Sequence, residues 1–111
     1  MPAEYEALVA ALKLTGIPFS EYGWKTRPEG PYGVVSLDMD ADELAGDDGK
    51  RDRSYEASVD VFHSLLRDRA EIVSTVEEVL GEICGSSWEL NSIQHESATG
   101  LFHLEWVCEV M

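Results

Sequence analysis

Apolar residues recur along this chain at two periods, and the switches between them mark out its elements. Near the start, Tyr5, Leu8, Val9 and Leu12 fall at i, i+3, i+4 and i+7, one stripe of a helix predicted over Pro2–Thr15. Pro2 suits a first helical turn, Glu4 and Glu6 suit its dipole, and Gly16 closes it. A second helical period runs through Ile72, Val73, Val76, Val79, Leu80 and Ile83. It predicts a helix over Arg67–Cys84, with Glu71, Glu77, Glu78 and Glu82 off the stripe and Gly85 as its stop.

Between and after the helices the period drops to two. Ile17–Trp24 reads as a short strand at an edge, because Pro18 has no amide to donate. Thr26–Pro31 is a loop. Tyr32–Asp40 alternates Val35, Leu37 and Met39 with Val34, Ser36 and Asp38. Ser54–His63 alternates Tyr55, Ala57, Val59 and Val61 with Glu56, Ser58 and Asp60, as a strand with one wet face does. Trp88–His95 and Leu101–Val110 close the chain around a turn at Ser97–Gly100. In the last strand Phe102, Leu104, Trp106, Cys108 and Val110 share one face, and His103, Glu105 and Glu109 the other.

The predicted class is α+β, in the order α-β-β-β-α-β-β. A mainly antiparallel or mixed sheet packs against two helices. The first strand is expected to be unpaired. It and a helix-free sheet face leave surface for self-association. The 111 residues fit a single domain over 1–111, and 44% apolar content suffices for one core.

Charge changes the picture most between the second and third strands. The loop Ala41–Arg53 reads as the mobile tip of a long acidic β-hairpin. Asp40, Asp42, Glu43, Asp47, Asp48, Lys50 and Arg51 are its candidate partner contacts. The chain carries 22 acidic against 8 basic residues, a net charge of -14. Such a balance disfavours tight binding to nucleic-acid phosphates and to anionic membranes, and permits a basic protein partner. It also suits a surface past which DNA slides without sticking. No basic leader or membrane-length apolar run is present, which predicts a soluble protein made in the cytoplasm. Cys84 and Cys108 are expected to be reduced thiols in the fold.

Candidate chemistry is sparse. Asp38, Asp40 and Asp42 match the first three ligand positions of a calcium loop, but its sixth and twelfth positions are Glu43 and Gly49 where glycine and glutamate belong. No Cys or His pair has zinc-finger spacing; the turn at Ser97–Gly100 could bring His95 near His103, without an evident third ligand. Nucleophile elbows and phosphate-binding glycine loops are missing from the sequence. Trp24, Trp88 and Trp106 read as core or subunit-interface residues. The expectation is no catalytic residue, no cofactor and no metal.

The layout resembles the tail-completion, or tail-terminator, proteins of long-tailed bacteriophages and their prophage relatives. The resemblance runs through "YEALVAALKLTGIPF", "YGVVSLDMDAD", "YEASVDVFHS", "AEIVSTVEEVLGEI", "SWELNSIQHE" and "GLFHLEWVCEV", over nearly the whole chain. It implies a non-enzymatic α/β subunit that assembles as a hexameric ring. Such a ring caps the tail tube, meets the head connector, and passes from the host cytoplasm to the virion neck. Other small phage neck and tail proteins share this layout. An acidic DNA mimic that occupies a basic protein is the alternative; it is disfavoured because the carboxylates are expected to cluster in the loop and on helix exteriors. A ferredoxin-like regulatory domain would need a glycine-lined ligand site at a helix start.

Overall fold

The computed structural model describes residues 2–38 and 55–111. Helix α1 spans Ala3–Lys13, with Glu4 and Glu6 in its first turn and Lys13 in its last, each charge complementing the helix dipole. Tyr5, Leu8, Val9 and Leu12 are buried, as their spacing predicts. The helix stops two residues earlier than expected. Thr15 turns its hydroxyl back onto the Leu12 carbonyl at 2.6 Å, and Gly16, at φ 96°, reverses the chain.

Strand β1 is Phe19–Glu21, β2 Tyr32–Asp38, β3 Tyr55–His63, β4 Trp88–Glu96 and β5 Leu101–Val110. Together they form one sheet in the order β1-β2-β3-β5-β4, so the predicted α+β class and element order hold. All neighbours are antiparallel except β1 and β2. The first strand is therefore paired, contrary to expectation, and in parallel. Its local reason is Gly33: a Cβ there would lie 2.2 Å from the Phe19 ring, so only glycine lets that ring settle on β2. Both outer strands, β1 and β4, keep one edge unpaired among the described residues.

Helix α2, Arg69–Cys84, begins after a 3-10 turn at Leu66–Asp68, two residues later than the periodicity suggests. Its sequence is rich in β-branched residues and holds Gly81 in its interior, so intrinsic propensity does not secure it. Burial does. Ile72, Val76, Leu80 and Cys84 enter a core with Val35, Ala57, Val59, Val61, Leu104, Trp106, Cys108 and Val110. Each such aliphatic side chain contributes about 1.5–3 kcal/mol, which outweighs propensity deficits of under about 1 kcal/mol per residue. Glu77, placed off the stripe by the sequence, accepts a 3.0 Å bond from the Trp106 indole, satisfying the one polar atom of that buried side chain.

Both helices thus lie on one face of the sheet, and the two ends of the fold are clasped there. The Glu4 amide donates to the Met111 carbonyl at 3.1 Å, and the Met111 amide to the Glu4 carboxylate at 2.9 Å. The Tyr5 hydroxyl donates to Glu21 at 2.9 Å and pins α1 to the edge strand; burial, then that carboxylate, pushes its pKa up. Among the described residues the opposite face of the sheet has no helix over it.

Candidate functional site: the helix-free face of the sheet

Alternation sends every second strand residue to the uncovered face, and the register lines these residues up in rows across the sheet. Tyr32, Phe62, His103 and Gln94 form one row. Val34, Asp60, Glu105 and Ser92 form the next, then Ser36, Ser58, Val107 and Glu89, then Asp38, Glu56 and Glu109. The five strands contain no lysine or arginine. The uncovered face therefore presents Asp38, Glu56, Asp60, Glu89, Glu96, Glu105 and Glu109, with His103 its one ionisable base among the described residues.

Some of these carboxylates find neutral donors. Ser58 donates to Asp38 at 3.1 Å, and both Asn91 and Ser92 donate to the same Glu105 oxygen at 3.3 Å. Others simply face each other: Glu56 is the direct partner of both Asp38 and Glu109, and Asp60 of Glu105. Like charges opposed across strands destabilise a sheet by tenths of a kcal/mol to about 1 kcal/mol per pair. The fold tolerates that cost without a compensating cation on these strands.

At one end the face changes character. Trp24 meets Tyr32 edge-on at 6.4 Å; Tyr32 stacks on Phe62 at 5.0 Å, and Phe62 on His103 at 4.3 Å. The Trp24 indole donates to the Gly33 carbonyl at 2.9 Å, which holds the Tyr22–Pro31 connection against this row and buries Tyr32. His103 Nε2 lies 2.7 Å from Asp60 Oδ1, with Glu96 at 3.6 Å from Nδ1. Burial raises the Asp60 pKa above its ordinary value, and the hydrogen bond and charge of His103 work against that rise. A His–Asp pair is half of a general-base arrangement. No serine or cysteine hydroxyl or thiol hydrogen-bonds to this imidazole, so the nucleophile is missing among the described residues.

His95 and His103 do not meet, which corrects the expectation that the turn could pair them. Asn91 is the extra residue of a β-bulge between Leu90 and Ser92. One inserted residue exchanges the faces of everything after it, so Ile93 and His95 turn to the helix side while His103 stays on the bare side. His95 instead contacts Phe102 at 4.7 Å, His63 stacks on Phe102 at 5.3 Å, and the Arg69 guanidinium lies over the Phe102 ring at 4.8 Å. His63 is fully buried. Its Nδ1 is 3.2 Å from the Leu65 carbonyl and its Nε2 has no partner among the described residues. Burial lowers its pKa; the Leu65 carbonyl opposes this and Arg69 adds to it.

Among the described residues no three His, Cys, Asp or Glu side chains gather as a metal site, and no helix is long and apolar enough to cross a membrane. The predicted partner contacts Asp40, Asp42, Glu43, Asp47, Asp48, Lys50 and Arg51, with most of the calcium-like spacing, lie outside the described residues. The carboxylate rows were missed as a site. Their signal was in the strands: nearly every polar alternate position is acidic or serine. The expectation that carboxylates cluster in the loop and on helix exteriors is corrected by these rows. In comparisons with known proteins, no family model matches the chain and no curated protein matches it significantly.

Proposed function

We propose that this chain is a structural, non-catalytic subunit of a virion, a tail terminator that closes the tail tube as a hexameric ring and meets the head connector. The observation that carries the reading is the helix-free face, acidic in every charged strand position and lacking lysine and arginine. Turned toward the bore of a ring, such a face repels phosphates and lets DNA pass without binding. The cross-strand repulsion it tolerates is explained by that use. The two open edges support the ring. They belong to different strands, β1 and β4, so a contact between them is heterologous and closes by rotation. The acidic segment from Asp40 to Arg51 is assigned to contacts with the tail-tube or connector protein. In this reading the protein is made in the host cytoplasm and ends in the tail or neck of the virion.

Native mass spectrometry across protein concentrations tests the ring. A hexamer, alone or on tail ends, is expected. A closed dimer at every concentration, burying one sheet edge against its own copy, would contradict it.

One observation favours a second reading, an acidic decoy for a DNA-binding protein. Asp38, Glu56 and Glu109 stand opposite one another on neighbouring strands, roughly 5 Å from strand to strand, the order of the spacing of charge along one strand of DNA. Displacement of DNA from a basic protein by stoichiometric amounts of the chain would select the decoy over the ring.

A further inference from the structure

We propose that Cys84 and Cys108 form a dithiol site that reacts with small disulfides and closes an intramolecular bridge. Cys84 is the last residue of α2, and the chain turns back at once through Gly85, whose φ is 64°. Two backbone bonds hold that turn: Ser87 N–H to the Cys84 carbonyl at 3.0 Å, and Glu109 N–H to the Ser87 carbonyl at 2.9 Å. The next residue, Trp88, is the register partner of Cys108 on β5. The helix end is therefore stitched to the strand that carries the second thiol, and both side chains enter the same core. Both cysteines are free.

The pair is chemically asymmetric. The Cys108 thiol beside it favours the thiolate on Cys84; the Cys84 thiol, with burial, pushes the Cys108 pKa up. Cys84 is also the more exposed, at 9% against 3%. A surface cleft lined by Ser86, Ser87, Trp88 and Cys108, with Glu56, Glu89 and Glu109 at its walls, opens on the Cys108 side of the pair.

The sequence of bonds follows from the asymmetry. The Cys84 thiolate attacks one sulfur of the disulfide R–S–S–R, forming a mixed disulfide and releasing R–S⁻, which takes up the proton that Cys84 lost. Cys108 then gives up its proton and attacks the Cys84 sulfur, expelling the second R–S⁻, which takes that proton. The protein loses two electrons and two protons, and the disulfide becomes two thiols. The bridge ties the end of α2 to β5. On the assembly reading above, the subunit folds where cellular thiols keep the pair reduced and then enters a virion that leaves the cell. The chemistry itself does not rest on that reading.

The test is oxidation of the reduced full chain by hydroxyethyl disulfide at neutral pH, quenched by alkylation in denaturant and read by intact mass. The wild type should lose two hydrogen atoms, resist alkylation and melt roughly 10 °C higher, reversibly with dithiothreitol. Cys108→Ser should stop at the mixed disulfide, and Cys84→Ser should react at least tenfold more slowly. Stable adducts without a bridge, no reaction, or bridging only as fast as the chain globally unfolds would each overturn the proposal. Because the readout is a covalent mass, a monomer in native mass spectrometry leaves it standing, and a failed bridge leaves the ring standing.

Discussion

The two faces of the sheet are built from the same strands and obey opposite rules. On the helix side, Val35, Val59, Val61, Leu104 and Trp106 have lost all contact with water. On the bare side, the residues that alternate with them place carboxylates opposite carboxylates. A sheet that needed only to fold would mix charges on its wet face, where cross-strand pairs of opposite sign stabilise. The helix side is explained by stability. On the proposed reading, the bare side is explained by what it must repel.

Four substitutions break or sharpen this contrast, beginning with the largest effect. Val76→Asp places an unpaired charge against the sheet and should cost about 3–5 kcal/mol in denaturant unfolding. A soluble variant with unchanged stability would remove the core assignment. Gly33→Ala drives a methyl group into the Phe19 ring and should cost about 1–3 kcal/mol. It should also raise hydrogen exchange in β1 while sparing β4.

The pH response should carry opposite signs on the two faces. His63 is buried with its folded pKa below the ordinary 6.5, so folding favours the neutral ring. Its contribution is present above pH 6.5 and is lost as pH falls through that value toward the folded pKa. Asp60 has a raised folded pKa, so its contribution is fully present below its ordinary 3.8 and is lost as pH rises through the folded value. Melting temperature followed from pH 7 downward should first fall, and His63→Phe should flatten that fall. A fall unchanged in His63→Phe would assign it to another group.

The smallest effect is the most telling about purpose. Glu56→Gln removes a charge opposed on both sides, and should stabilise by about 0.2–1 kcal/mol. Destabilisation would mean that Glu56 has a structural partner, and the repulsion argument would fail at that position.

The helix side was legible in the sequence because burial writes itself as period. The stripe Ile72, Val76 and Leu80 and the alternation Ala57, Val59 and Val61 needed no knowledge of neighbours. His63 continues that alternation and is fully buried, which corrects the reading of the histidines as surface residues: its polar ring masked the period. The bare side was legible only residue by residue. Alternation puts Glu56 and Glu109 on a wet face, but only register makes them opponents, and register is set by long-range pairing. The bulge at Asn91 is a single-residue event that parted His95 from His103. The pairing of β1 depended on one ring seated over one glycine, a contact between segments that no periodicity encodes.

The central claim is that the bare acidic face serves assembly and not folding, and completion of phage tails made without the protein tests it most directly. The variant combines Asp38→Asn, Glu56→Gln and Glu109→Gln, one neutralised row across three strands. The account predicts a protein that folds at least as stably as wild type and completes at least tenfold fewer infectious particles. A variant that completes tails as well as wild type, at unchanged or higher stability, would contradict it.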